Sequence, residues 1–168
     1  MLETSSQLQP FGAIASRLAM PRYYQVARSD AVLLPWSQVA ERLESAKNYW
    51  LATARPDGKP HVAPVWGAWL DNAFYFDGIY TARWARNLVI NPAISVHLES
   101  GTEVVILDGR FEDTVPSPEV AARIVETYRW KYGPDLLPQA EKGMYRVRPQ
   151  TIRAWSHFPD DATKWTFS

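Results

Sequence analysis

The spacing of apolar positions changes several times along this chain, and each change predicts an element. Residues 1–33 show little periodicity and are expected to form an N-terminal arm, leaving 34–168 as one domain. From Pro35 to Ala46 the spacing is helical: Val39, Leu43 and Ala46 share a face while Glu41, Arg42 and Glu44 face out. Tyr49 to Ala54 then reads as a strand, and Pro56-Asp57-Gly58-Lys59 has the order of a tight turn. His61 to Leu70 predicts a second strand, with Pro64 marking a sheet edge or a bulge. Asp71-Asn72 turns the chain into Ala73–Phe76, which completes a three-strand meander.

A short helix is expected from Thr81, as its N-cap, to Asn91, where Asn91-Pro92 is a stop signal. Ala93–Leu98 alternates, with Ile94, Val96 and Leu98 on one face. The longer strand Glu103–Glu112 follows, and Gly109 within it predicts a bend or bulge that helps close a barrel. Ser117-Pro118-Glu119 starts a helix whose buried stripe is expected at Val120, Ile124 and Tyr128, with its end at Gly133-Pro134. Met144–Val147 and Thr151–Trp155 read as two last strands before a C-terminal tail. Six or seven short strands with two or three helices predict an α+β fold built on an antiparallel β-barrel.

Composition narrows the function. Eighteen basic residues balance eighteen acidic ones in 168, so no global field favours nucleic acid or an anionic membrane. The chain has no cysteine, which excludes disulfides, thiolate zinc sites and a cysteine nucleophile, and suits a reducing compartment. No apolar run reaches the ~20 residues of a membrane span, and the N-terminus lacks the pattern of a signal peptide, so a cytoplasmic location is expected. Eight Trp, eight Tyr and six Phe are an aromatic surplus. Most should fill a small core or an interface between copies, with one or two left for a planar ligand.

The candidate chemistry lies in two places. At Thr81-Ala82-Arg83-Trp84-Ala85-Arg86-Asn87, a helix N-terminus offers free N–H groups, and Arg83 and Arg86 share a face on which two guanidinium groups can grip a phosphate. Along His61 to Gly67, the small residues Ala63 and Gly67 (and Ala68 beyond) would let a flat ring approach strand N–H and C=O groups. Both patterns also occur without a ligand, as solvated arginines and as a packed barrel seam. His61, His97 and His157 lack metal-ligand spacing, so no metal site is expected. Asp71 and Glu103 sit near turns, where carboxylates are ordinarily solvated. Motifs for a serine nucleophile, a P-loop or a dinucleotide-binding βαβ unit are absent, and no catalytic side chain is assigned.

Taken in order, Trp50–Val62, Pro64-Val65-Trp66, Phe74-Tyr75-Phe76, Arg83-x-x-Arg86-Asn87-Leu88, Asn91-Pro92-x-Ile94-Ser95-Val96 and Val104–Gly109 resemble the pyridoxamine 5′-phosphate oxidase-like superfamily. Within it the chain is more similar to the B-type flavin/deazaflavin oxidoreductases, because the Arg/His-rich C-terminal segment of true vitamin B6 oxidases is missing. The resemblance implies a split β-barrel with flanking helices, a homodimer, and FMN or coenzyme F420 bound in a groove between the copies. It also implies hydride transfer to or from a small organic substrate. By the same resemblance, the ring would lie on Ala63, Pro64, Val65, Trp66 and Gly67. The phosphate would lie around Thr81, Arg83, Trp84, Arg86 and Asn87, with Lys59 and His61 nearby. The chain departs from the pattern at Trp84, where many relatives carry a Lys. That departure keeps a second reading in play, a barrel that sequesters flavin, haem or another tetrapyrrole without turnover, and a third, a purely structural dimer.

Overall fold

The computed structural model describes residues 12–21 and 32–168. Part of the predicted arm, 1–11 and 22–31, lies outside the described residues. Within the described part, Ala13–Arg17 forms strand β1. The remaining elements are α1 (Trp36–Ser45), β2 (Tyr49–Ala54), β3 (Pro60–Val65), β4 (Gly67–Leu70), β5 (Ala73–Phe76), α2 (Arg83–Ile90), β6 (Ala93–His97), β7 (Val104–Thr114), α3 (Pro118–Tyr132), β8 (Met144–Trp155) and β9 (Thr163–Phe167).

All pairings are antiparallel, in the order β1-β9-β8-β7-β6-β2-β3, with β5 joining β8 and β4 joining β5. Strand β8 is where the barrel splits. One edge pairs with β7 from Met144 to Trp155, while the other takes β5 at Tyr145–Val147 and β9 at Thr151–Ala154. The two final strands expected from sequence are thus a single strand, and the expected tail is β9. The register of β7 on β8 shifts at Asp108/Gly109, the position where a bulge is expected. A Cβ on Gly109 would lie 2.3 Å from the Arg148 carbonyl oxygen, so only glycine admits this approach.

The expected strand His61–Leu70 breaks at Trp66. Its first half pairs with β2 and its second with β5, so the chain changes pairing partner within one residue. Strand β3 ends the ladder, which accounts for Pro64: an edge strand has no partner waiting for the missing N–H. Inside the barrel, Tyr49, Leu51, Phe74, Phe76, Leu107, Val147, Ile152 and Trp165 form the main core, closed by Val39 and Leu43 of α1 and Leu88 of α2. Eight of the 22 aromatic residues are buried in this core: Trp36, Tyr49, Trp69, Phe74, Phe76, Trp84, Tyr145 and Trp165.

Helix α3 packs Ala121, Ile124 and Tyr128 onto Tyr75 and Met144 in a second cluster. Its start is as expected, with Ser117 as N-cap and Pro118 first; it ends at Gly133, whose φ is 89°. The buried stripe differs from the expected one. Val120 is only half-buried, and the stripe continues to Lys131, which is 5% exposed. Among the described residues no helix is long and apolar enough to cross a membrane.

Candidate functional site

Helix α2 packs against β2 and β3, and its two ends differ. The start is open. Ala82 is the N-cap, not Thr81, and no side chain caps the first turn, so the N–H groups there have no intrahelical acceptor. Thr81 lies exposed in the preceding turn. Arg83 and Arg86 are exposed, and neither guanidinium has a hydrogen-bond or ion-pair partner among the described residues. Two unpaired guanidinium groups beside the positive end of a helix dipole are a donor set that suits a phosphate.

Trp84, Ala85, Asn87 and Leu88 of α2 point inward, while Val89 and Ile90 at its end are exposed. Trp84 is 7% exposed and packs on Phe76 and Tyr145, with ring centroids 5.4 and 5.2 Å away. Its ring also lies over Gly78, where a Cβ would come within 2.6 Å of Trp84 Cζ2. Trp84 is therefore a core residue of the barrel end and not part of a phosphate grip. Asn87 is buried too: its Nδ2 donates to Thr53 Oγ1 at 3.0 Å, while its Oδ1 has no partner. The reason is helical geometry, since positions 84, 87 and 88 face the sheet whenever 83 and 86 face out.

The candidate residues of β3 divide between two faces. His61, Ala63 and Val65 are half-buried, and Ala63 and Val65 pack against the core. Pro60, Val62 and Pro64 face out, and Val62 is 50% exposed. Lys59 sits at the hairpin tip in an exposed ion pair with Asp57. Gly67 is buried, its backbone pressed against Phe74. The structure thus brings Pro64, Trp66, Arg83 and Arg86 to the surface and takes Gly67, Trp84 and Asn87 out of it.

The strand switch at Trp66 carries a polar network that the sequence pattern did not show. Tyr128 Oη donates to the Trp66 carbonyl at 3.2 Å, and the Gly67 N–H donates to Tyr132 Oη at 3.0 Å. Lys131 Nζ donates to the Ala46 carbonyl and Tyr49 Oη, both at 2.8 Å, and to the Gly67 carbonyl at 3.3 Å. Burial pushes the Lys131 ammonium down to about 8 and the Tyr132 hydroxyl up to about 12. The signal for Lys131 was its place at i+7 from Ile124 on the stripe of α3, a spacing that ordinarily selects an apolar residue.

Elsewhere the carboxylates considered from sequence are surface partners. Asp71 holds Arg123 in a bidentate pair and Glu103 holds Arg42. Among the described residues no three His, Asp or Glu side chains gather where they could hold a metal ion. Among the described residues, concavities of about 590 and 420 Å³ flank α3, and neither includes a residue of β3 or α2.

Comparison with known proteins fits this architecture. The family model for pyridoxamine 5′-phosphate oxidase matches residues 36–156. A conserved hypothetical protein from Mycobacterium tuberculosis has 26% sequence identity and a TM-score of 0.61, over 80% of this chain and 91% of that one. A protein described as an F420 reductase is 30% identical over 67% of this chain and 94% of its own, with a TM-score of 0.52. The haem storage protein HutZ of Vibrio cholerae shares the fold at 21% identity, covering 70% of this chain and 92% of that one, with a TM-score of 0.56. No curated protein matches. With most of the sequence inside the family model and the split barrel in place, the chain belongs to the pyridoxamine 5′-phosphate oxidase family.

Proposed function

We propose that this protein is an oxidoreductase that binds FMN or coenzyme F420 and passes hydride to or from a small organic substrate. The observation that carries the reading is the pair Arg83 and Arg86, exposed and with guanidinium groups unpaired among the described residues, at the start of α2 beside the edge strand β3. Membership of the family and the 30% identity to an F420 reductase support it. Arg83 and Arg86 would hold the cofactor phosphate, and Pro64 and Trp66 on β3 and its switch would meet the ring. The bound cofactor supplies the hydride chemistry, so the chain needs no nucleophilic side chain.

A homodimer belongs to this reading, because β3 is an open surface in one copy. On the outer sheet face Trp50 stacks on His97, with centroids 6.4 Å apart, and Val62 stands half exposed beside them. A second copy on that face would turn the surface into a groove. A cytoplasmic location accompanies the reading.

Thermal-shift titration with FMN and with F420 tests it. A ligand at a hundredfold excess over Kd should stabilise by about 2.7 kcal/mol, and Arg83→Ala with Arg86→Ala should abolish the gain. No shift with either cofactor sinks the reading, and a haem-type visible spectrum of the purified protein would favour sequestration instead. A monomer by light scattering at micromolar concentration would remove the groove.

A further inference from the structure

We propose that Lys131 is a positioning residue for the ring-binding surface: its ammonium holds the Gly67 carbonyl and so fixes the Trp66 indole against Tyr132. The proposal deepens the functional reading above and rests on it for the role of Trp66.

Trp66 belongs to neither β3 nor β4, so at the switch the backbone depends on α3 for donors and acceptors. Tyr132 Oη lies 2.7 Å from the Lys47 carbonyl and 3.1 Å from that of Gly67. A hydroxyl has one proton, and the shorter contact to Lys47 takes it. The Gly67 carbonyl is then left to Lys131 Nζ. An ammonium has three protons, and the three acceptors around Nζ (Ala46 O, Tyr49 Oη and Gly67 O) use all of them. None of the three is a carboxylate. A buried charge without an ionic partner is costly, and an apolar side chain would avoid that cost but leave these acceptors unmet. Lys131 therefore ties three separate segments together at one atom: the α1–β2 loop, β2 and the start of β4.

The titratable groups facing Lys131 are Glu44 of α1, Tyr49 of β2 and Tyr132 of α3. Burial raises both tyrosines, so they keep their protons where Lys131, pushed down to about 8, loses its own. The neutral amine has two protons for three acceptors, and the contact it gives up is the longest, Gly67 at 3.3 Å.

The test follows Trp66 directly. The fluorescence of the full chain minus that of Trp66→Phe isolates the Trp66 signal without any ligand. It should change sigmoidally between pH 6.5 and 9.5 with a midpoint near 8, and Lys131→Met should remove the transition. Lys131→Met should also bind FMN or F420 about tenfold more weakly, the scale of one lost charged hydrogen bond. A flat Trp66 titration in the unmodified chain overturns the proposal, and that measurement stands even if Lys131→Met does not fold. A transition that survives in a folded Lys131→Met overturns it equally. If neither cofactor binds, the proposed function falls, while the ligand-free signal still decides the role of Lys131.

Discussion

The indole of Trp66 lies flat on the ring of Tyr132, centroids 4.5 Å apart and planes within 4°. The stack joins the point where the edge strand leaves one part of the sheet to the last turn of α3. Stacking and the Tyr132 hydroxyl bonds contribute separately and can be separated. Tyr132→Phe keeps the ring and loses the bonds to Lys47 and Gly67, so it should destabilise the protein by about 1–2 kcal/mol in urea unfolding. Tyr132→Ala should cost clearly more, because the ring contact goes too. Equal stability of the Phe variant and the parent would show that the hydroxyl contributes nothing.

Trp84 offers a sharper contrast. Were its position part of a phosphate grip, Trp84→Lys would improve binding. Because its ring fills the space between Phe76, Tyr145 and Gly78, the substitution should instead cost about 3–5 kcal/mol without tightening FMN or F420. Denaturant unfolding and a cofactor titration on the same sample give the answer. A stable variant with higher affinity would mean that position 84 reaches the ligand.

Gly109 tests the bulge that closes the barrel. Gly109→Ala would place its Cβ 2.3 Å from the Arg148 carbonyl oxygen and should destabilise by about 1–3 kcal/mol. Gly101→Ala is the control, because nothing lies within 4 Å of its Cβ position; it should stay within about 0.5 kcal/mol of the parent. Similar melting temperatures for the two variants would contradict this account of β7.

Acid sensitivity should have one identifiable source in Glu112. Partial burial pushes its carboxyl up, but bonds from Arg146 and Arg148 outweigh this and hold it below the usual value of 4.5. A carboxyl lowered on folding adds stability above its unfolded value and loses it as pH falls through the folded one. Melting temperatures of the parent and Glu112→Gln should therefore differ at pH 7, and the gap should shrink as pH falls below 4.5. A gap that stays constant across that range would rule out the linkage.

Much of this protein is legible in its sequence where the signal is local. Ser117-Pro118 starts α3, Gly109 marks the register shift, Pro64 marks the edge, and Val39 with Leu43 mark the buried face of α1. Each depends on neighbours within a turn or along one strand. The errors come from elsewhere. Thr81 resembles a cap, yet the helix begins two residues later at Arg83, because Trp84 must reach the core between Phe76 and Tyr145. Residues 13–17 carry no visible period because β1 is specified by its pairing with Thr163–Phe167 at the far end of the chain.

What the sequence determined by itself was the family, the antiparallel barrel and the exposed pair Arg83 and Arg86, all written in short-range order and spacing. Only the tertiary structure decided that Trp84 and Asn87 turn inward, that one strand divides at Trp66, and that a lysine on an apolar stripe holds the division in place. The physical reason is that a backbone group leaving its ladder must find a donor or acceptor wherever the fold supplies one. For Gly67 those groups are Lys131 and Tyr132, more than sixty residues away along the chain.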